Sequence, residues 1–240
     1  TFNEYLDISV LQCAVIPVTV SSAKKRISKE ERGKFVLSID SKEGQALIGH
    51  LLGDGWLIRN KSKKTGALYN ARFCYSQSVI HTDYFNFVYN IFKPYCQGPP
   101  YQLNRFSKLT GPYSGFQFNT VVLPCINLYH ELFYKSGKKH IPENIIDYLT
   151  PISLSQWIQD DGGYHIRDHI LTLYTNGFSE FEVDLLIEAL IKKFDLKCRK
   201  ERKGANYQIV IVKSSMDKVR NMVLEHFDKS MYYKLGVNVS

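Results

Sequence analysis

With 240 residues, 44% of them hydrophobic, the chain has material for one large domain or two of roughly 100 residues each. Five scattered cysteines without a CxxC pair argue against a disulfide framework or thiolate zinc site, and favour a reducing compartment. No apolar run reaches the ~18 residues that span a bilayer, whereas a formal charge of +8 points to a polyanionic partner.

Residues 1–40 read as an N-terminal extension. Its apolar stretch at 10–20 lacks a basic leader and is not read as a signal peptide. A basic run at 21–26 and a short charged helix at 28–32, ended by Gly33, suit either a solvated arm or one laid on phosphate. Asp40 and Glu43 then form a capping-box pattern before an apolar helix at 46–53, which ends at Asp54-Gly55. After Trp56 and a polar turn at 61–66 comes a strand at 69–75, with Tyr69, Ala71, Phe73 and Tyr75 facing inward. Tyr84, Phe85, Val88, Ile91 and Phe92 recur at helical spacing. Strands at 101–105 and 116–120, turned by Gly111-Pro112, precede a helix over 121–134.

A connector at 135–142 and a short apolar piece at 145–149 lead to a second helix. Thr150 is its N-cap and Pro151 its first residue, Ser153 and Gln156 offer a capping box just inside, and the helix ends at Asp160-Asp161-Gly162-Gly163. Strands follow at 164–167 and 170–175, a periodic helix at 179–194, strands near 197–202 and 207–212, and a helix at 215–227. The same order of elements has occurred twice. This gives repeats at 41–135 and 150–240 joined by a linker at 136–149, and a pseudo-symmetric molecule suits a pseudo-symmetric ligand such as duplex DNA.

Ala46, Gly49 and Gly53 form a small-residue stripe on the first helix, which lets a partner helix approach closely. Close crossing brings Asp54 and Asp161 together at two helix C-termini, where like charges need a cation between them. Their hard oxygen donors suit Mg²⁺. The His165 and His169 pair has no third ligand at zinc spacing and reads as strand-surface chemistry, with His169 a DNA contact; His50 reads as a core or interface histidine.

The segment Leu47-Ile48-Gly49-His50-Leu51-Leu52-Gly53-Asp54-Gly55 resembles the LAGLIDADG signature, matching at Leu47, Gly49, Asp54 and Gly55. A more divergent copy at 154–162 matches at Leu154, Ile158, Asp161 and Gly162, with Gln156 and Asp160 where small residues are expected. With the runs at 138–142 and 231–235, the chain from about residue 40 onward resembles the monomeric, two-motif, intron-encoded LAGLIDADG homing endonucleases. The resemblance implies an α/β (α+β) fold, a pseudo-symmetric duplicated αββαββα arrangement with two saddle-shaped antiparallel sheets. It implies a site-specific double-strand DNA endonuclease using Mg²⁺, whose place Mn²⁺ or Ca²⁺ can take in a crystal. Asp54 and Asp161 are then catalytic metal ligands, with the carbonyls of Gly53 and Asp160 as further ligands. Lys139 and Lys234 fall where related enzymes place an active-site lysine, one in each half.

Arg59, Arg72, Arg105, Arg167, Lys197, Arg199, Lys200 and Arg202 lie on or beside predicted strands, where arginine reads base edges or simply charges an outer face. Lys61, Lys63, Lys64, Lys108 and Lys203 suit phosphate contacts. The expected partner is duplex DNA with a long target, met by a monomer without a membrane, and the resemblance implies residence in an organelle, the mitochondrion. An intron RNA maturase of the same fold is the main alternative, and intron RNA its partner. A DNA-binding regulator without activity would leave the paired acids unexplained.

Overall fold

The computed structural model of the chain describes residues 26–107 and 111–238. Cys13, Lys108 and most of the basic run before Arg26 lie outside them. The first helix, α1 (Lys29–Gly33), starts at a capping box in which Ser28 and Glu31 each accept the other's backbone N–H. Helix α2 (Lys42–Leu52) takes Ser41 as its N-cap, with the Ser41 hydroxyl accepting from Gly44 N. The capping box expected from Asp40 and Glu43 does not form. Asp40 is instead held in the preceding turn, its N–H donating to Ser38 Oγ at 3.2 Å.

Beyond α2 the chain lays down β1 (Trp56–Ile58) and β2 (Arg72–Ser78), then α3 (Thr82–Phe92), β3 (Tyr101–Ser107) and β4 (Gly111–Asn119). The strands form an antiparallel sheet in the order β1-β2-β4-β3. Gly111 and Pro112 belong to β4 rather than to the turn, Pro112 lying opposite Phe106. The helix expected over 121–134 is only α4 (Asn127–Phe133). Pro124 opens a 3-10 turn ahead of it, because its ring and missing N–H are tolerated only in a first turn. Tyr69 is exposed and precedes β2, its carbonyl accepting from Arg59.

A two-stranded hairpin, β5 (Tyr134–Lys135) and β6 (Lys138–Lys139), follows, turned through Ser136 and Gly137 at positive φ. It straddles the boundary expected at 135/136. After α5 (Ile145–Tyr148), helix α6 (Pro151–Asp161) begins at a capping box between Thr150 and Ser153, so Ser153 pairs backward rather than with Gln156. The second half then repeats the first, with β7 (Gly162–His165), β8 (Ile170–Tyr174), α7 (Glu180–Phe194), β9 (Cys198–Lys203), β10 (Asn206–Ile211) and α8 (Met216–Val223). Its sheet has the order β7-β8-β10-β9, which is the first sheet's order again.

Each sheet buries one face. In the first, Phe73, Tyr75 and Phe118 pack with Phe85 and Phe92 of α3. In the second, Leu171, Leu173, Ile209 and Ile211 meet Val183, Leu186 and Leu190 of α7. The alternate positions face away from the core. The halves join where α2 crosses α6, and glycine makes the crossing close. A Cβ on Gly49 would sit 2.3 Å from Ser153 O and 2.7 Å from Gln156 Cβ. The larger residues of the second motif thus stand opposite the glycines of the first.

Candidate active site at the helix crossing

Both motif helices end at the crossing, and β1 and β7 leave from it. Asp54, just beyond α2, is the more exposed acid; Asp161 is the last residue of α6 and half-buried. Gln77, at the end of β2, donates to Asp54 Oδ2 at 3.0 Å. Surrounding protein takes away part of the hydration of both acids. The Asp54 carboxyl is pushed up to about 6, by lost water first and then by the Asp160 carboxylate, against the pull of Gln77, Lys234 and His50. Asp161 is pushed up to about 8, again by burial first, then by the charges of Asp54 and Asp160.

Two lysines close the site with pseudo-two-fold regularity. Lys139, on β6, donates to the carbonyls of Gly53 and Gly55 at 3.1 and 2.8 Å. Lys234, near the chain's end, donates to the carbonyls of Gln159 and Asp160, the latter at 2.8 Å. Each lysine therefore holds the carbonyl end of its own half's motif helix, including both carbonyls that the resemblance offers as further ligands. Burial lowers the proton affinity of both amines, opposed by the nearby aspartates.

The Asp160 side chain departs from what the motif led one to expect. Instead of a small residue at the contact, it places a carboxyl inside the first half. Oδ2 accepts from His50 Nδ1 at 2.9 Å and Asp54 N at 3.2 Å, and Oδ1 from the hydroxyls of Tyr75 and Tyr84 at 2.9 and 2.7 Å. His50 is thus an interface histidine, fully buried. Burial first, and then the Asp160 charge, push both phenols well above their ordinary value.

This arrangement fits a hard divalent cation. Two oxygen acids, raised by burial first and by neighbouring carboxylates second, gain from positive charge placed between them. Among the described residues no group of three or more His, Cys, Asp or Glu is arranged to hold a metal unaided. The remaining donors would be backbone carbonyls, water or an anionic substrate.

The expected DNA contacts fall into distinct settings. Lys61, Lys63 and Lys64 are exposed on the loop between β1 and β2, and Arg167 and His169 on the β7–β8 turn, where His169 Nδ1 pairs with Tyr164 Oη. Arg72 and Arg199 occupy outward positions of their sheets, and the Arg72 Nε has no hydrogen-bond partner. Lys197 and Lys203 are exposed at the two ends of β9. Arg105 pairs through its backbone with Tyr113 in the β3–β4 hairpin. Arg59 is committed elsewhere, to Tyr69 O and the Glu131 carboxylate, with its side chain only 12% exposed.

Lys200 is placed differently from the outward residues of β9. It shares the inward register of Ile209 and is held by Glu180 and Asp184 of α7, at 2.6 and 2.9 Å. Arg202 has the same parity and bonds Gly204 O. The sequence reading also missed Gln117 and Gln208, which occupy equivalent outward positions on β4 and β10, each with a side-chain carbonyl lacking a hydrogen-bond partner. Register supplies the signal for them, since each lies opposite an outward residue of the neighbouring strand, Ser76 and Tyr174.

Two crossed motif helices with paired acids, each followed by the same four-stranded sheet, are what a family model described as the LAGLIDADG DNA endonuclease family matches over residues 44–219. The chain belongs to that family. Among its LAGLIDADG relatives, the cytochrome b mRNA maturase bI2 of Debaryomyces hansenii is 29% identical over 207 residues, covering 84% of this chain and 76% of that protein. The intron-encoded endonuclease ai4 of Dictyostelium discoideum is 36% identical over 126 residues, 51% of this chain and 77% of its own. A solved LAGLIDADG structure, the homing endonuclease I-WcaI bound to its DNA recognition sequence, superposes with a TM-score of 0.76 and 26% identity, over 88% of this chain and 94% of that one. The α+β fold with two four-stranded antiparallel sheets is therefore that of the LAGLIDADG homing endonucleases.

Proposed function

We propose that the chain is a site-specific homing endonuclease that hydrolyses both strands of a long duplex target. The observation that carries this reading is the meeting of Asp54 and Asp161 at the helix crossing, each in surroundings that raise its carboxyl. Their oxygens, with the carbonyls of Gly53 and Asp160, are the groups that would hold Mg²⁺. When bound, the cation would neutralise charge at the scissile phosphates and activate water for in-line attack.

The chain's own residues do the rest. Asp54 and Asp161 orient the hydrolytic centre from opposite halves. Lys139 and Lys234 bring positive charge beside the acids while fixing the ends of both motif helices, and so favour the negative charge that grows on phosphate. Outward residues of the two sheets, among them Arg72 and Arg199, face base edges, and the exposed lysines of the β1–β2 loop meet phosphate. A single chain supplies both halves, which supports a monomer. Likeness to I-WcaI, solved on its DNA recognition sequence, supports duplex DNA as partner.

A maturase reading stands second, because two of the matching relatives are named cytochrome b mRNA maturases. Those relatives also support an organellar, mitochondrial setting. Retained acids favour cleavage, since binding an intron makes no use of them. Selection of cleaved duplexes from a random library with Mg²⁺, run beside a binding assay on structured intron RNA, tests both readings. Recovery of one long cut site supports the endonuclease; tight RNA binding with no duplex cut in the library supports the maturase.

A further inference from the structure

Asp160 contributes to the first half although it belongs to the second. Among the described residues, the four donors to its carboxyl come from the N-terminal half: His50 from α2, Asp54 N from just beyond it, Tyr75 from β2 and Tyr84 from α3. The side chain passes directly over Gly53, where a Cβ would meet Asp160 Cβ at 2.4 Å.

The reverse device does not exist. Gly53, the residue before Asp54, is the counterpart of Asp160 and has no side chain. One turn before each acid stands His50 in the first motif and Trp157 in the second. Register makes Tyr75 equivalent to Leu173, since Cys74 pairs with Trp56 as Thr172 pairs with Gly163. Leu173 offers no donor where Tyr75 does, and the Trp157 indole N–H, in the place of His50, has no hydrogen-bond partner. The Asp54 main chain is therefore tied across the crossing, while Asp161 is held by its own helix.

We infer that Asp160 is a positioning residue that sets the main chain at Asp54 and makes the two acids unequal, so that losing it disturbs cleavage of one DNA strand more than the other. The inference rests on the endonuclease reading. A carboxyl with four donors in a water-poor pocket is over-determined, and removing it leaves those donors unpaired. Asp54 then loses a backbone restraint that Asp161 never had. Because the halves sit on opposite halves of the target, the resulting displacement acts on one scissile phosphate first.

The test compares wild type with Asp160→Asn, Asp160→Ala and the double variant Tyr75→Phe/Tyr84→Phe. The double variant keeps the packing and the carboxyl but removes two donors. Each is assayed on a supercoiled plasmid carrying the selected target, with the two strands end-labelled separately. Amide hydrogen exchange at Asp54 and Asp161 is followed in metal-free protein by NMR. For Asp160→Ala the ratio of the two strand-cutting rates should change at least tenfold and nicked circles should accumulate. Exchange at the Asp54 amide should quicken at least tenfold, with the Asp161 amide unaffected. The tyrosine double variant should move both readouts the same way by a smaller factor, which keeps the inference testable should Asp160→Ala fail to fold. Equal slowing of both strands, or an unchanged Asp54 amide, overturns it. A wild type that cuts no duplex defeats the endonuclease reading and this inference together, whereas a cutting wild type with unaltered strand ratio in every variant defeats the inference alone.

Discussion

Gly53 and Asp160 are matched across the helix crossing: the first lacks a side chain where the second sends one through, with only 2.4 Å between a hypothetical Gly53 Cβ and Asp160 Cβ. The divergence of the second motif is thereby absorbed by the regularity of the first. Gly49 does the same for Gln156.

Replacing a carboxylate oxygen that would bind the cation should remove cleavage without removing DNA affinity. Asp54→Asn and Asp161→Asn are each expected to lower strand cutting by at least about a hundredfold, the scale on which a single electrostatic group at a reacting centre acts. Plasmid cleavage in Mg²⁺, with gel-shift affinity in Ca²⁺ as control, measures both. Full Mg²⁺-dependent cutting by either variant would sink the two-acid mechanism.

Metal-free protein should lose stability as pH rises. A carboxyl raised on folding is bound to its proton more tightly in the folded chain. The stability it lends is whole below the ordinary value of 3.8 and falls as pH rises towards about 6 for Asp54 and about 8 for Asp161. The melting temperature in EDTA should therefore drop between pH 5 and pH 9, with Mg²⁺ restoring part of it at the upper end. The double variant Asp54→Asn/Asp161→Asn should show a shallower drop; an identical pH profile would contradict the assignment.

At the crossing, Gly49→Ala forces a methyl against the Ser153 carbonyl and should destabilise by about 1–3 kcal/mol or more. Gly33→Ala, with open space around the new carbon, should stay within about 1 kcal/mol of wild type. Urea unfolding of the two variants side by side decides this, and equal stability would mean that the helices can separate freely.

Lys139→Met and Lys234→Met should each slow cleavage, by about a hundredfold if the amine assists charge on phosphate. Affinity for target DNA in Ca²⁺ should hardly change, because neither amine lies on an outward sheet face. A variant that loses affinity and keeps its single-turnover rate would make the lysine an ordinary phosphate contact.

Arg199 and Lys200 are sequence neighbours with opposite prospects. Arg199→Ala should weaken DNA binding and reduce the slope of affinity against salt by about one. Lys200→Ala should leave both alone and cost at most about 1 kcal/mol of stability, since its carboxylate partners are half-exposed. Salt titrations of both variants settle which face of β9 meets the duplex.

What could be read from sequence was whatever is periodic or local. The apolar helices ending in Asp-Gly, the duplicated order of elements and the glycine stripe are patterns within short windows, and the crossing follows from them. The Asp160 network is of another kind. His50, Tyr75 and Tyr84 lie 76 or more positions from Asp160 and come together only through folding. Lys200 looked like a DNA contact because it sits in a basic strand, and only pairing with β10 shows that it faces α7. The helix over 121–134 was read too long because its apolar spacing outweighed Pro124. The hairpin at 134–139 carries too few residues for any period to show.

That hairpin bears on how the halves can be exchanged. Lys139 reaches back to Gly53 and Gly55 in the first half, and two residues later Ile141 N donates to Glu182 Oε1 in the second. The connector is thus a gauge of fixed length rather than a tether. Chimaeras that swap one half for another should place their junction after Pro142. A seam cut before Lys139 would take that lysine from a different parent than the Gly53 and Gly55 carbonyls it holds.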